Sequence, residues 1–279
     1  MIYWRFLVFI YKRNPMKLFK TIFKLFKKKK KPVQRKFGWK HDPEDHRDLK
    51  FKVSAPRDLP SLIDLRKQCP PVYDQGQTGS CTANALNAAY QFEEMKQGKE
   101  NFMPSRLFVY YNERAIEGTI NEDAGAAIRD GIKTLVKDGV CPETMWKYNE
   151  NKFATKPTQD CYDAALNNQV LKYLSINPSI QEIKHCLVEG FPVVFGFNVY
   201  ESFMSQEVAE TGVAQMPSAG EQQNGGHAIM CVGYDDSKEA LIIRNSWGTN
   251  WGLNGYFYMP YGYITNGLSA DFWTIRLVE

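Results

Sequence analysis

An α+β fold, with a helical half leading, a strand-rich half following and a cleft between them, is the architecture the sequence predicts. Three observations point to it. The first half of the body carries apolar residues at helical spacing. The second half breaks into short β-branched and aromatic runs separated by Gly, Asp and Asn turns. Each half also supplies one part of a nucleophilic centre, and such centres sit in clefts.

At 279 residues the chain is long enough to bury a core in one domain or two small ones. Its formal net charge of +4 hides an asymmetry. Residues 1–40 hold 14 of the 35 Lys and Arg and no Asp or Glu, which leaves 21 bases against 31 acids in the remaining 239 residues, a net of −10. "MIYWRFLVFIYKRNP" has no basic residue ahead of its apolar stretch, is interrupted by Arg5 and lacks a small-residue cleavage site. It reads as neither signal peptide nor membrane span. In "MKLFKTIFKLFKKKKK", Leu18, Phe19, Ile22, Phe23 and Phe26 share one helical side and Lys17, Lys20, Lys24, Lys27 and Lys28 the other. Such a helix would let residues 1–40 contact an anionic membrane surface or an acidic partner; the alternative is a solvated basic arm, which could dock on the chain's own acidic body. Charge alone supports no specific nucleic-acid site.

Residues 32–58 are polar with Pro and Gly and read as a linker or pro-segment, so that 1–58 precede a body running from about Leu59 to Glu279. Within it, residues to about 175 read helical and those from about 176 read as strands. After Cys81, Leu86, Ala89 and Tyr90 form one helical face. "AAIRDGIKTLVKDG" places Ile128, Ile132, Leu135 and Val136 on a helix ended by Gly139. "SIQEIKHCLVEG" starts with a capping box of Ser179 and Glu182 and ends at Gly190, with His185 expected at the helix surface. "FPVVFGFNVY", "HAIMCVGYDD", "ALIIRNSW" and "GYFYMPY" read as strands.

The chemistry concentrates in three places. "GQTGSCTANA" brings glycines and small polar residues to Cys81 at the start of an Ala-rich helix, where the helix N-terminus favours a thiolate. His41 and His46 lie in the polar segment, whereas His227 opens a strand after "NGG" and is placed to take the thiol proton and return it to a leaving amine. Asn245 in "RNSWGTNWG" can orient the imidazole without adding charge, with Trp247 covering that hydrogen bond. The Gln75 side chain and the Cys81 backbone N–H are the expected oxyanion donors.

"YDQGQTGSCTANA", "GGHAIMCVGY" and "RNSWGTNWGLNGY", in that order, resemble the papain-like cysteine peptidases, over about Leu59 to Glu279. The likeness is nearest to a subgroup of bacteria and large DNA viruses that shares "CPPVYDQG" and "GVCPE"-like stretches. The 146 residues between Cys81 and His227 lie inside the roughly 130–150 expected of that family. The resemblance implies a papain-like two-domain fold, a helical left half and an antiparallel β-barrel-like right half with the site between them. It also implies Cys81 as nucleophile, His227 as base and acid, Asn245 as orienter, Gln75 as oxyanion donor, and substrate contacts at Gly79, Gly125, Ala126, Gly226 and Trp247. Ala126, Ala127, Gly225 and Ala228 would line an apolar pocket near Asp271.

The sequence departs from the family at Thr78, where a disulfide cysteine is usual, at Thr82, where an aromatic residue is usual, and at Gly226, where Asp is frequent. It lacks the adjacent histidine pair of the carboxydipeptidase members. The expectation is therefore an endopeptidase made as a latent precursor, acting on peptides or proteins. The alternatives are a transpeptidase using the same site, or an inactive papain-fold binding or structural protein. No metal or cofactor is expected, since the six cysteines form no C-x-x-C pair. The five cysteines besides Cys81 cannot all pair, so the reading is a reducing compartment or at most two bridges, with a reducing intracellular setting or a virion favoured over secretion.

Overall fold

The computed structural model describes residues 35–53 and 58–279; the amphipathic basic helix expected near residues 16–31 and the apolar stretch before it lie outside the described residues. In chain order the main elements are β1 (Trp39–Lys40), β2 (Leu62–Asp64), α1 (Cys81–Lys96), α2 (Arg106–Glu117), β3 (Ala126–Ala127), α3 (Ile128–Lys137), α4 (Gln159–Ala165), β4 (Val170–Ile176), α5 (Ile180–Val188), β5 (Val193–Tyr200), α6 (Gln206–Thr211), β6 (Gln223–Asp235), β7 (Ala240–Arg244), β8 (Tyr256–Pro260), α7 (Gly262–Thr265) and β9 (Ser269–Val278).

The helices of the first half pack around α1, which is buried from Cys81 through Glu94 on every side. Its four alanines, at 83, 85, 88 and 89, let neighbouring elements approach from all directions. The single face expected at Leu86, Ala89 and Tyr90 is thus only part of what the helix buries. α2 is capped by Ser105, whose side chain accepts the Phe108 N–H, and ends at Gly118 with φ 71°. α3 buries Ile128, Ile132 and Leu135, while Val136, expected on the same face, is exposed.

The second half is a seven-stranded sheet in the order β4-β9-β5-β6-β7-β8, with β2 pairing on β6. All of its pairings are antiparallel. The four expected strands correspond to β5, β6, β7 and β8. β4 and β9 were not expected, because "VLKYLSI" alternates poorly and exposes Leu171. β6 starts at Gln223, so His227 sits within the strand opposite Phe197 rather than opening it. Ser179 caps α5, but the Glu182 carboxylate turns to the Asn177 backbone and side-chain N–H groups instead of completing the box. His185, expected at the surface, is buried, since α5 buries every residue from Ile183 to Leu187.

Residues 35–53, polar by composition, pack closely on this body. β1 pairs parallel with β3, Trp39 opposite Ala126 and Lys40 opposite Ala127. The Phe51 N–H donates to the Ser175 carbonyl at 2.7 Å. Trp39 and Phe51 are both buried in the common core.

Candidate active site

Cys81 is the first residue of α1, and Ser80 at its N-cap makes no side-chain cap. The Ser80 hydroxyl meets the Tyr148 hydroxyl at 2.7 Å and accepts from Asn84 Nδ2 at 3.0 Å. The positive end of the helix is thereby left to the thiol. Behind Cys81, the Thr82 hydroxyl donates to Glu113 Oε1 at 2.6 Å. Burial pushes the fully enclosed Glu113 up to about 8, so that it carries a proton at neutral pH.

On the facing wall, His227 lies in β6 between rings. Trp247 stacks on it with centroids 4.9 Å apart. Phe197 and Phe37 meet it edge-on at 5.9 and 6.4 Å. Its Nε2 donates to Asn245 Oδ1 at 2.9 Å. That amide oxygen also accepts the Ser246 N–H at 2.8 Å, which fixes the amide's orientation. The Nε2–H tautomer leaves the lone pair on Nδ1, which is buried without a hydrogen-bond partner among the described residues.

Gln75 stands ready on the helical wall. Its Oε1 accepts the Ser246 hydroxyl at 2.6 Å, which turns Nε2 towards the Thr78 carbonyl at 2.9 Å and the Lys36 carbonyl at 3.4 Å. Residues at 35–40 therefore occupy the groove. The Ala126 N–H donates to the Gly38 carbonyl at 2.7 Å. Gly125, at φ 70°, approaches so closely that a Cβ on it would lie 1.9 Å from the Gly38 carbonyl oxygen. The Trp39 ring lies against Gly196 and Gly226, and a Cβ on Gly226 would sit 2.6 Å from Trp39 Cε3. Trp39 Nε1 donates to Asp271 Oδ2 at 3.0 Å. Basic residues of the segment meet acids of the body: Arg35 pairs with Asp74 at 2.7 Å, Lys36 with Asp123 at 2.7 Å and Lys40 with Glu117 at 2.6 Å.

Burial dominates the electrostatics of the centre. Burial pushes the Cys81 thiol up to about 11, against the lowering effect of backbone groups of Ala228 and Gly38. Burial also holds His227 down to about 4, opposed by the Asn245 bond and assisted by the Arg35 charge. Thiol and imidazole are both neutral at pH 7 with the segment in place.

The structure thus brings Cys81, Gln75, Gly79, Gly125 and Ala126 to one wall and His227, Asn245, Gly226 and Trp247 to the other. Sequence reasoning missed Ser246, which joins Gln75 to Asn245, although it stands between Asn245 and Trp247 in the quoted motif. It also missed Glu113 and Asp123, whose partners are 31 and 44 residues away and leave no local pattern. All six cysteines are free, and no cluster of His, Cys, Asp or Glu among the described residues is arranged to hold a metal ion.

Comparison with known proteins identifies the family. The profile described as papain family cysteine protease matches residues 59–271. The chain belongs to that family. An uncharacterized peptidase C1-like protein of Acanthamoeba polyphaga mimivirus is 46% identical over 274 residues, covering 88% of each chain. The crystal structure of xylellain, a cysteine protease from Xylella fastidiosa, superposes with a TM-score of 0.82 at 43% identity, covering 90% of this chain and 99% of that one. Procathepsin L 3 of Tenebrio molitor, at 18% identity and a TM-score of 0.66, covers 88% of this chain and 77% of its own and shares the fold. The helical half, the antiparallel sheet and the cleft between them are those of a papain-like protein.

Proposed function

We propose that this papain-family protein is a cysteine endopeptidase held latent by its own residues 35–48. The observation that carries the catalytic part is the state of His227: one ring nitrogen bound to Asn245, the other bare, next along the strand to Ala228, whose backbone hydrogen-bonds the Cys81 thiol. In this reading the Cys81 thiol gives its proton to His227 Nδ1, and the thiolate attacks the peptide carbonyl carbon. The carbonyl oxygen becomes an oxyanion held by Gln75 Nε2 and the Cys81 N–H. The imidazolium then protonates the leaving amine, and a thioester remains on Cys81. Water, deprotonated by Nδ1, attacks the thioester, releasing the carboxylic acid and restoring the thiol. Asn245 keeps the ring in the required tautomer throughout, and Trp247 keeps water from that hydrogen bond. Attack by an amine instead of water would make the same site a transpeptidase.

Latency is supported by the segment's course. With Gly38 against Gly125 and the Lys36 carbonyl at Gln75 Nε2, an extended peptide has no room in the groove. We take the parallel sense of β1 on β3 as the reverse of a substrate's direction, which protects the segment from being cut. Removing it readmits water and relieves the burial that now keeps Cys81 and His227 neutral. The apolar pocket around Ala126, Ala127, Gly225 and Ala228 is taken to accept an apolar substrate side chain, with Asp271 tolerating a base.

An epoxide or vinyl-sulfone peptide probe tests the whole reading. It should label Cys81 in the full chain slowly and in a chain starting near Leu59 faster, with added 1–57 peptide slowing the latter. Cys81→Ala should abolish both cleavage and labelling. Equal labelling of another cysteine in Cys81→Ala would remove the catalytic assignment. Equal rates for both chain lengths at low and high salt would remove latency.

A further inference from the structure

Asp123 lies in the loop after α2, outside every motif used so far, and its side chain is only 9% exposed. The loop is not free to move. The Arg114 guanidinium donates to the carbonyls of Ile120 at 2.6 Å and Glu122 at 2.8 Å, locking the residues just ahead of it. Asp123 Oδ1 then accepts two bonds, from the Gly79 N–H at 2.9 Å and the Tyr110 hydroxyl at 2.5 Å. The Tyr110 hydroxyl accepts in turn from the Gly125 N–H at 3.2 Å. One carboxylate therefore ties together the two stretches of backbone that border the groove, Gly79 beside the nucleophile and Gly125 beside β3.

The other oxygen, Oδ2, is aimed into the groove and takes the Lys36 ammonium at 2.7 Å. Lys36 also places its backbone carbonyl 3.4 Å from Gln75 Nε2, the donor assigned above to the oxyanion. A substrate residue whose carbonyl sits at Gln75 Nε2 is the one about to be cut. The segment runs against the sense taken above for a substrate, so Lys36 marks the reach alone: from a carbonyl at Gln75 Nε2, a side chain as long as lysine extends to the Asp123 carboxylate. The ammonium end is open, since the Lys36 side chain is 57% exposed while bound.

We propose that Asp123 is a specificity-determining residue that selects peptides with Lys or Arg immediately before the scissile bond; this rests on the cysteine peptidase reading. Lys36 occupies this subsite in the closed protein as a stand-in for such a side chain. A carboxylate held by two hydrogen bonds is already oriented, so the cation gains a charge-assisted bond with little ordering cost.

The test uses the full chain and three peptidyl acyloxymethyl ketones that differ only in the residue bearing the attacked carbonyl: lysine, norleucine or glutamate. Rates are compared as ratios, so closure of the groove by residues 35–40 cancels. Lysine should label Cys81 about tenfold faster than norleucine, as one partly screened charged hydrogen bond allows, with glutamate slowest. In Asp123→Asn, whose amide oxygen can still accept from Gly79 and Tyr110, the ratio should fall to within about twofold. Equal lysine and norleucine rates in the unaltered chain, or the same ratio in Asp123→Asn, overturns the proposal. If Asp123→Asn does not fold, the unaltered chain decides: the lysine-to-norleucine ratio should shrink as salt rises, and a ratio insensitive to salt also overturns it. Labelling by the norleucine probe tests the peptidase reading separately. Norleucine labelling without lysine preference fails Asp123 alone, whereas no labelling of Cys81 by any probe fails both.

Discussion

Along the helical wall of the cleft, Cys81, Gln75 and Gly79 are held by hydrogen bonds to buried polar partners, Glu113 through Thr82, Ser246 and Asp123. Along the sheet wall, His227 is held by rings, Trp247 stacked on it and Phe197 at its edge, with Phe203 behind them 5.1 Å from Phe197 and 5.7 Å from Trp247. The difference follows from what each wall must do. In the proposed reaction the Cys81 side has to aim N–H groups at a charge that appears as the thiolate attacks, and aimed donors need polar partners to fix them. The imidazole has to keep a single hydrogen bond dry and then change its own charge, which an aromatic box permits without a competing acceptor.

The sharpest way to break that comparison is to remove one reacting group from each wall. His227→Ala should lower kcat/KM for a peptide substrate by roughly 10⁴-fold, much like Cys81→Ala, because the two act as a unit. Asn245→Ala should cost on the order of 10²-fold, as it disturbs only the ring's tautomer and aim. Loss of the same size from all three would contradict the division of roles.

Stability separates the walls next. Phe203→Ala removes a fully buried ring from the aromatic box and should destabilise the protein by about 3–5 kcal/mol in denaturant unfolding. Thr82→Val leaves the Glu113 carboxyl without its donor and should cost about 1–3 kcal/mol. Thr82→Val as costly as Phe203→Ala would show that polar ties, not rings, dominate both walls.

The smallest expected effect concerns the hold on the segment. Burial, with the neighbouring Asp271 carboxylate adding to it, pushes Asp42 up to about 6 while residues 35–48 are docked. A freed Asp42 titrates near its ordinary 3.8. The docked state therefore favours the protonated acid, and Asp42 helps the hold at pH 4 but weakens it as pH rises through 6. His227, held low by burial, pulls the other way as pH falls, so the difference between two proteins isolates Asp42. Full-length protein and Asp42→Asn should label at similar rates at pH 4, and the unaltered chain should label several-fold faster at pH 7.5. A ratio unchanged between the two pH values would remove Asp42 from the clasp.

Much of this site was legible in the residues alone. A cysteine at a helix start, a histidine after paired glycines and an asparagine beside a tryptophan each carry their chemistry in a few neighbouring positions. Helix ends at Gly139 and Gly190, with φ 72° and 82°, were equally legible, because the left-handed residue that closes a helix strongly favours glycine. Less legible were β4 and β9, which are set by pairing with distant strands, β4 on β9 and β9 also on β5, rather than by alternation within either.

The sequence by itself determined which residue types are offered to the centre and in what order, since the proposed nucleophile, base and orienter are written in local motifs that survive without knowledge of the fold. Only the tertiary structure decided what sits in the groove. Residues 35–53 read only as a linker or pro-segment because their composition is polar and their two anchoring rings, Trp39 and Phe51, show no period. Trp39 gains its place from Gly196 and Gly226, more than 150 residues away, whose missing side chains leave the space its indole fills. Shape complementarity of that kind exists only between distant parts of a folded chain, so no pattern along the sequence records it.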